Sequence, residues 1–205
     1  MRGFFLVLEG PEGAGKSTLA AALGARARDA GAAVVAVREP GGTPAAEAAR
    51  AIVLDHGHGV GAEAELLLML AARADLVRRV IGPALEAGSL VIADRFDLST
   101  QAYQVAGRGL PADLVAAANR IATGGLVPDL TLVLDVTPEA GQARQAAAGK
   151  VRDRMEVEGA DFHARVSAAY LAAAGPGVRH LNAELPAERL AEAAWAALVQ
   201  RWRKT

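Results

Sequence analysis

The chain has 205 residues, a length typical of one domain that carries a mobile flap. Its 22 Lys and Arg residues nearly balance 23 Asp and Glu residues, which argues against a protein whose main partner is duplex nucleic acid. The absence of cysteine excludes disulfides and thiolate metal sites, and it fits a reducing cytosol. The apolar run Met1–Glu9 lacks the pattern of a signal peptide, and no uncharged apolar stretch reaches about 18 residues. We therefore expect a cytoplasmic protein without a membrane span.

Short apolar runs alternate with longer, alanine-rich amphipathic segments. Strands are predicted at Phe4–Glu9, Val34–Arg38, Leu90–Ala93, Leu130–Asp135 and Val178–Leu181. Helices are predicted to begin near Lys16, Pro44, Ala62, Pro111, Pro138, Asp161 and Pro186. Nearly continuous apolar strands that alternate with helices indicate a five-stranded parallel sheet covered on both faces, in a single domain over residues 1–205. The charged segment Gly149–Gly159 breaks this pattern and is predicted to be a loop or a short lid, and the lid is placed at about residues 144–158.

A phosphate-binding motif follows the first predicted strand and opens the first predicted helix. It matches G-x-x-x-x-G-K-[ST] and consists of Gly10, Pro11, Glu12, Gly13, Ala14, Gly15, Lys16, Ser17 and Thr18. The glycines let consecutive N–H groups point at one anion, and the helix presents its positive end to the same phosphates. Lys16 is predicted to contact the β- and γ-phosphates of ATP, and Ser17 to bind Mg²⁺. The motif predicts the three-layer α/β fold of P-loop NTPases.

A second polar pair ends the predicted third strand. In a parallel sheet the ligand lies beyond the carboxyl ends of the strands, so Asp94 and Arg95 are expected to face the P-loop. Asp94 is predicted to support Mg²⁺, and Arg95 to hold a phosphate through two-point hydrogen bonding. Glu9 ends the first strand in a similar position and is predicted to help hold the metal or the acceptor.

Sequence blocks over nearly the whole chain resemble those of bacterial thymidylate kinases, in the same order. The most specific are Arg38-Glu39-Pro40-Gly41-Gly42-Thr43 and Asp94-Arg95-Phe96-Asp97-Leu98-Ser99-Thr100-Gln101-Ala102-Tyr103-Gln104. The others are Leu8–Thr18, Gly107-Arg108-Gly109, Pro128–Thr131, Leu134–Val136 and Asp153-Arg154-Met155-Glu156. The resemblance implies an enzyme that transfers the γ-phosphate of ATP to dTMP, with both nucleotides as small-molecule substrates.

The resemblance also implies roles for individual residues on the acceptor side. Glu39, Pro40 and Arg50 match positions that line the dTMP site, and Arg95 matches the arginine on the acceptor phosphate. At the base, Arg73 matches an arginine that pairs with the thymine edge, while Thr100 and Gln104 match polar groups that read it. Tyr103 matches a tyrosine that favours deoxyribose by crowding the sugar 2′ position.

Two positions depart from the pattern of the family. Met69 stands where most members stack a phenylalanine on thymine, so the ring is expected to lose a matching flat surface. The P-loop carries Glu12 and no arginine, so the lid is expected to supply the catalytic cation. Lys150, Arg152 and Arg154 belong to that segment and Arg144 to the preceding helix, and Arg152 or Arg154 is predicted to reach the transferring phosphoryl group.

Two other functions remain open at this point. One is a P-loop kinase for another nucleotide or for a deoxynucleoside, and the other is an ATP-binding switch without an acceptor. The acceptor-side residues argue against the switch, because a switch has no need of a second pocket. The resemblance implies a homodimer, and the predicted helix Ala62–Ala87 carries apolar residues on more than one face, as an interface requires.

Overall fold

The computed structural model describes residues 2–147, 149 and 153–202. Lys150 and Arg152, which the sequence assigns to the lid, lie outside the described residues.

A five-stranded sheet forms the centre of the molecule, and its strand order is β2-β3-β1-β4-β5. Every pairing is parallel, with Leu6 opposite Ile92 on one side of β1 and opposite Leu130 on the other. The strands are β1 (Phe4–Glu9), β2 (Val34–Arg38), β3 (Leu90–Asp94), β4 (Leu130–Asp135) and β5 (Val178–Asn182). The carboxyl ends of β1 and β3 are neighbours, so Glu9 and Asp94 end at the same edge of the sheet.

Helices connect the parallel strands. They are α1 (Lys16–Asp29), α2 (Pro44–Leu54), α3 (Ala62–Leu76), α4 (Gly82–Glu86), α5 (Asp97–Thr100), α6 (Ala112–Thr123), α7 (Pro138–Ala147), α8 (Ala160–Leu171) and α9 (Ala187–Trp202). The π-helical segment Val77–Ile81 joins α3 to α4, so one long helix runs from Ala62 to Glu86. A second π-helical segment, Gln101–Gly107, extends α5.

The two faces of the sheet pack against different helices because side chains alternate along each strand. Leu6 and Leu8 of β1 pack in one core with residues of α1 and α9, such as Leu23 and Leu198. On the opposite face, Phe5 and Val7 pack with Leu76, Ile81 and Leu85 of the long helix. Helix α8 covers Val133 of β4 on that side and encloses Tyr103 with Phe162 and Tyr170.

The predicted fold is confirmed, and each predicted strand and helix start lies within about two residues of its position in the structure. Two helical stretches of the described residues were not predicted: the short 3-10 helix His56–His58, and α5 with its π-helical extension, Asp97–Gly107. The second of these surrounds the cavity. Its apolar residues lack a helical period, because Thr100, Tyr103 and Gln104 are buried on its inner side.

Candidate active site

A cavity of about 370 Å³ opens beyond the carboxyl ends of β1 and β3. This volume suits a small molecule. All residues predicted on the acceptor side line it: Glu39, Pro40, Arg50, Met69, Arg73, Arg95, Thr100, Tyr103 and Gln104. From the P-loop, Glu12, Gly13, Gly15, Lys16, Ser17 and Thr18 line it, together with Asp94. Among the described residues, five predicted site residues do not line the cavity: Gly10, Pro11, Ala14, Glu9 and Arg154.

The P-loop packs tightly against the first turns of α7. Gly13 has a φ of +74°, and a Cβ atom at this position would lie 2.2 Å from the carbonyl oxygen of Gly141. On the other side of the contact, a Cβ on Gly141 would lie 2.7 Å from the carbonyl oxygen of Glu12. Glycine is therefore required at both positions, because no side chain fits between the two backbones.

Lys16 begins α1 and is almost fully buried at the base of the cavity. Its Nζ donates to the carbonyl oxygens of Gly10 at 2.9 Å and of Pro11 at 2.8 Å. Burial, followed by the nearby positive charge of Arg95, lowers the pKa of Lys16 to about 8. The side chain thus lies folded over the loop, and its donors are bound by acceptors that an anion could replace.

The Ser17 hydroxyl and the Asp94 carboxylate lie side by side at the cavity wall. Ser17 Oγ donates to Asp94 Oδ2 at 2.5 Å, which brings two oxygen ligands together beside the P-loop. Mg²⁺ takes oxygen ligands, commonly one or two from protein and the rest from phosphate and water. These two residues fit such a metal. Within the described ranges, no group of three or more His, Cys, Asp or Glu side chains could hold a metal ion.

Glu9 is fully buried beneath the cavity, and both of its carboxylate oxygens already accept hydrogen bonds. Oε1 accepts from the backbone N–H groups of Phe96 at 2.8 Å and Ser99 at 3.1 Å. Oε2 accepts from Ser99 Oγ at 2.7 Å and from the Tyr170 hydroxyl at 3.2 Å. Burial raises the pKa of Glu9 to about 7. In this arrangement Glu9 fixes the start of α5, and Asp94 is the better placed of the two for a metal.

Arg95 projects between the P-loop and α8 from a backbone with a φ of +76°, unusual for a residue with a side chain. Its Nη1 donates to Tyr170 Oη at 2.9 Å and to Gly10 O at 3.2 Å. Its Nη2 contacts Glu12 Oε1 at 2.5 Å, and Tyr103 Oη lies 3.3 Å away. Burial of Arg95 alone would lower its pKa. The neighbouring Glu12 carboxylate opposes this effect and helps to hold the pKa of Arg95 well above its usual value. Arg95 therefore carries a permanent positive charge in the cavity wall, and its hydrogen bonds hold the side chain in place.

Arg73 is buried at the far end of the cavity. Its Nε donates to Glu39 Oε2 at 2.7 Å, and its Nη1 donates to Thr100 Oγ1 at 2.8 Å and to Asn119 Oδ1 at 2.5 Å. Its Nη2 donates to the carbonyl of Phe96 at 2.8 Å and lies 2.6 Å from Glu39 Oε2. Every N–H of the guanidinium thus has an acceptor, so a contact to a base would have to replace one of these bonds.

Arg154 contacts buried groups instead of the cavity. Its Nη2 binds Glu65 Oε2, its Nε donates to the carbonyl of Val53 at 2.8 Å, and its Nη1 to that of Val60 at 3.4 Å. Arg144 lies closer to the P-loop, with Nη1 3.4 Å from the carbonyl oxygen of Gly13 and Nη2 2.8 Å from that of Ala183. Of the described lid cations, Arg144 is therefore the one beside the phosphate loop.

Several polar residues around the site were not predicted from the sequence to belong to it. Tyr170 and Ser99 bind both Arg95 and Glu9, while Glu65 is a fully buried carboxylate behind Gln104. The signal for Glu65 would have been an acidic residue on the apolar side of a helix. Tyr170 gave no signal, because a tyrosine at helical spacing is ordinarily part of a core.

Comparisons with known proteins agree with this geometry. The family model described as thymidylate kinase matches residues 8–194. The chain belongs to the thymidylate kinase family. It is 48% identical over 200 residues to the thymidylate kinase of Thermomicrobium roseum, covering 96% of this chain and 95% of the relative. The thymidylate kinase of Deinococcus radiodurans is 45% identical over 203 residues, 98% of each chain. That of Pseudomonas putida strain GB-1 is 51% identical over 172 residues, 83% of this chain and 81% of the relative.

Membership of the thymidylate kinase family confirms the predicted family and makes the chain a kinase that uses a nucleotide and a metal. Among the helices of the described ranges, none combines the length and the apolar character that crossing a bilayer requires.

Proposed function

We propose that this chain transfers the γ-phosphate of ATP to dTMP and produces dTDP for nucleotide biosynthesis. The observation that carries the proposal is that one cavity is lined both by the P-loop and by Arg95, to which we assign the phosphate of the acceptor. A kinase needs a donor phosphate and an acceptor phosphate in line within one closed space. The names of relatives 45–51% identical to this chain supply the acceptor, since each is a thymidylate kinase.

The donor side is the P-loop. We assign the phosphates of ATP to the loop Gly10–Thr18 and to the start of α1, where N–H groups and the helix end favour negative charge. Lys16 would exchange the carbonyls of Gly10 and Pro11 for phosphate oxygens. Ser17 and Asp94 would hold Mg²⁺, which neutralises charge on the phosphates when it is bound.

The acceptor side extends from Arg95 to Arg73. Arg95 would hold the phosphate of dTMP, and Tyr103 lies beside it where the sugar is expected. The base end is formed by Thr100, Gln104 and Met69, with Arg73 behind them. Oε1 of Glu39 is buried and receives no hydrogen bond from the described residues, so this part of the cavity offers an acceptor to a ligand or a water.

The chain performs the reaction by alignment and charge neutralisation. A phosphate acceptor is already ionised near neutral pH, so no strong general base is needed, and Asp94 supports metal and orientation. Lys16 and Arg95 both donate to the carbonyl oxygen of Gly10, so two positive charges lie close together where we assign the donor and acceptor phosphates. Arg144 and Arg152 are the lid cations that we assign to the transferring group, whereas the contacts of Arg154 favour an anchoring role.

The decisive test is an ADP-release assay with ATP over dTMP, dUMP, dCMP, UMP and thymidine. We expect turnover to be highest with dTMP, and Lys16→Met to lower kcat/KM by at least about 10³-fold. Faster transfer to dCMP, UMP or thymidine than to dTMP would favour a kinase for another acceptor. Slow hydrolysis that no acceptor stimulates would favour an ATP-binding switch. Unchanged activity in Lys16→Met would refute the assignment of the P-loop.

We also propose that the chain forms a homodimer through α2, α3 and α6, which pack beside one another. These helices expose large apolar side chains, namely Ile52 (38%), Leu67 (64%), Leu114 (64%) and Ile121 (85%). Helix α6 places Leu114 and Ile121 one heptad apart, on one face. Exposed apolar side chains on neighbouring helices favour a protein interface, and a two-fold axis would bring the same face of a second copy against them.

Sedimentation equilibrium tests the dimer. The unmodified chain should have twice the monomer mass, and Leu67→Glu with Ile121→Glu should have the monomer mass. The matched control is Leu171→Glu, since Leu171 is equally exposed (64%) but lies on α8. A monomeric unmodified chain, or a double variant that stays dimeric, would refute the proposed interface.

A further inference from the structure

A buried carboxylate lies behind the base end of the cavity. Glu65, in the first turn of α3, has no exposed surface and does not line the cavity. Its Oε1 accepts from Gln104 Nε2 at 2.9 Å and from Arg108 Nε at 3.2 Å. Its Oε2 accepts from Arg108 Nη2 at 2.9 Å and from Arg154 Nη2.

Glu65 is held in its charged form. Burial alone would raise the pKa of Glu65, but the hydrogen bonds from Arg108, Gln104 and Arg154 outweigh burial and leave its pKa below the usual value. An ionised carboxylate only accepts hydrogen bonds, so the group that Gln104 turns towards it must be the amide nitrogen.

The orientation of the Gln104 amide follows from this contact. Because Nε2 is bound to Glu65, the carbonyl oxygen Oε1 is the end of the amide that remains for the cavity. No residue of the described ranges donates a hydrogen bond to this oxygen. Gln104 is only 2% exposed, so an oxygen presented to a ligand here is largely shielded from competing water.

We propose that Glu65 is a positioning residue for base selection: it fixes Gln104 with its carbonyl oxygen towards the base, which favours pyrimidines with an N–H donor at ring position 3. The inference rests on the proposed placement of the dTMP base beside Gln104. Thymine and uracil carry that N–H, whereas cytosine has a lone pair there and would face a second acceptor. A site built to receive a donor rejects the analogue that lacks it, because buried polar groups are left unpaired.

The same carboxylate connects the base end of the cavity with the segment that precedes α8. Arg154 binds Glu65 directly, and Arg108 binds both Glu65 and Glu158. Glu158 therefore provides a matched control, since its Oε1 lies 2.5 Å from Arg108 Nη1, whereas Gln104 donates to Glu65 and, among the described residues, not to Glu158. Neutralising Glu158 removes a charged partner of Arg108 but leaves the hydrogen bond between Glu65 and the Gln104 amide in place.

The test measures the ratio of kcat/KM for dTMP to that for dCMP. In Glu65→Gln the amide of Gln104 can turn round, since the new side chain both accepts and donates. We expect the ratio to fall by about tenfold or more, mainly because transfer to dCMP improves. Glu158→Gln should keep the ratio within about twofold of the unmodified chain. Far-ultraviolet circular dichroism checks that each variant is folded.

A double-mutant cycle separates positioning from a general structural effect. If Glu65 acts through Gln104, then Glu65→Gln should not change the ratio further in a Gln104→Leu background. Should Glu65→Gln not fold, Glu65→Asp replaces it, because it keeps a negative charge near both arginines while the shorter side chain lengthens the contact with Gln104.

Two outcomes would overturn the inference. One is a folded Glu65 variant whose kcat/KM ratio for dTMP over dCMP is unchanged. The other is a double variant in which Glu65→Gln and Gln104→Leu each change the ratio by the same factor as they do alone. Failure of the proposed function is distinguishable, because it would appear in the unmodified chain as an absence of preference for dTMP.

Discussion

Glu12 Oε1 lies 2.5 Å from Arg95 Nη2 and 3.1 Å from the hydroxyl of Tyr103. The P-loop thus places a carboxylate on the arginine that we assign to the acceptor phosphate. An acceptor phosphate on Nη2 of this arginine would compete with Glu12 for the same donor. The contact joins the loop that we assign to the donor to the arginine that we assign to the acceptor.

Replacing Arg95 by lysine should raise the KM for dTMP by at least about tenfold. A lysine keeps the charge, but it cannot contact Gly10, Glu12 and Tyr170 together as the planar guanidinium does. Steady-state kinetics should show a KM for ATP within about twofold of the unmodified chain. Arg79→Lys is the control, because Arg79 is exposed and, among the described residues, pairs with Asp75 on its own helix. A normal KM for dTMP in Arg95→Lys would contradict the assignment.

Asp94→Asn should increase the Mg²⁺ concentration required for half-maximal activity by about 10–100-fold. The amide keeps the size of the side chain but removes the charge beside Ser17 Oγ. A Mg²⁺ titration of initial rates at saturating ATP and dTMP measures the shift. Asp113→Asn, an exposed change in the first turn of α6, should leave the titration unchanged. An unshifted curve in Asp94→Asn would rule out metal support by this carboxylate.

Arg154→Ala should destabilise the fold by about 1–3 kcal/mol, because it removes a charged partner from the fully buried Glu65 and leaves two backbone carbonyls without their donor. Urea unfolding measures the change. Arg144→Ala should cost less than Arg154→Ala, since Arg144 binds two carbonyl oxygens and no buried carboxylate, but it should lower kcat. Unchanged stability of Arg154→Ala together with a large loss of kcat would reverse these two roles.

His180 should make stability depend on pH. Its Nδ1 lies 2.9 Å from Asp135 Oδ1 and its Nε2 2.7 Å from the carbonyl oxygen of Ala173, so both nitrogens face acceptors. Burial opposes the charge, but the contacts with Ala173 and Asp135 outweigh it and raise the pKa of His180 above 6.5. The stabilisation is therefore fully present below the pKa of the unfolded state and disappears as pH rises through the higher pKa of the folded state.

The measurement is the Tm difference between the unmodified chain and His180→Gln at several pH values. The difference should be greatest at about pH 5.5 and shrink towards about pH 9. A difference that is constant across this range would show that His180 is not charged in the folded chain.

Local signals explain why the strands and the P-loop could be predicted. The glycine spacing of Gly10–Lys16 and the apolar run of β1 can each be recognised in a short stretch of sequence. The structure confirms the strand and the helix that begins at Lys16. The buried charge pairs could not be predicted in this way. Glu65 meets Gln104 39 positions away and Arg154 89 positions away, so only the folded chain brings them together. Arg154 accordingly looked like a lid cation in the sequence, although its partners lie behind the cavity.

The helix Asp97–Gly107 was missed for a related reason. Its inner side carries Thr100, Tyr103 and Gln104, polar groups that are buried because they surround the cavity. A search for apolar periodicity fails where a binding site replaces the core.

A larger side chain at Gly13 or Gly141 could not be compensated by a smaller one at the other position. Both positions already carry the smallest side chain that exists, so enlarging one cannot be balanced by trimming the other. An alanine at either position would push the loop and α7 apart and so disturb the loop that we assign to the phosphates of ATP. Engineering of this enzyme should therefore treat the two glycines as a single fixed element and vary residues elsewhere.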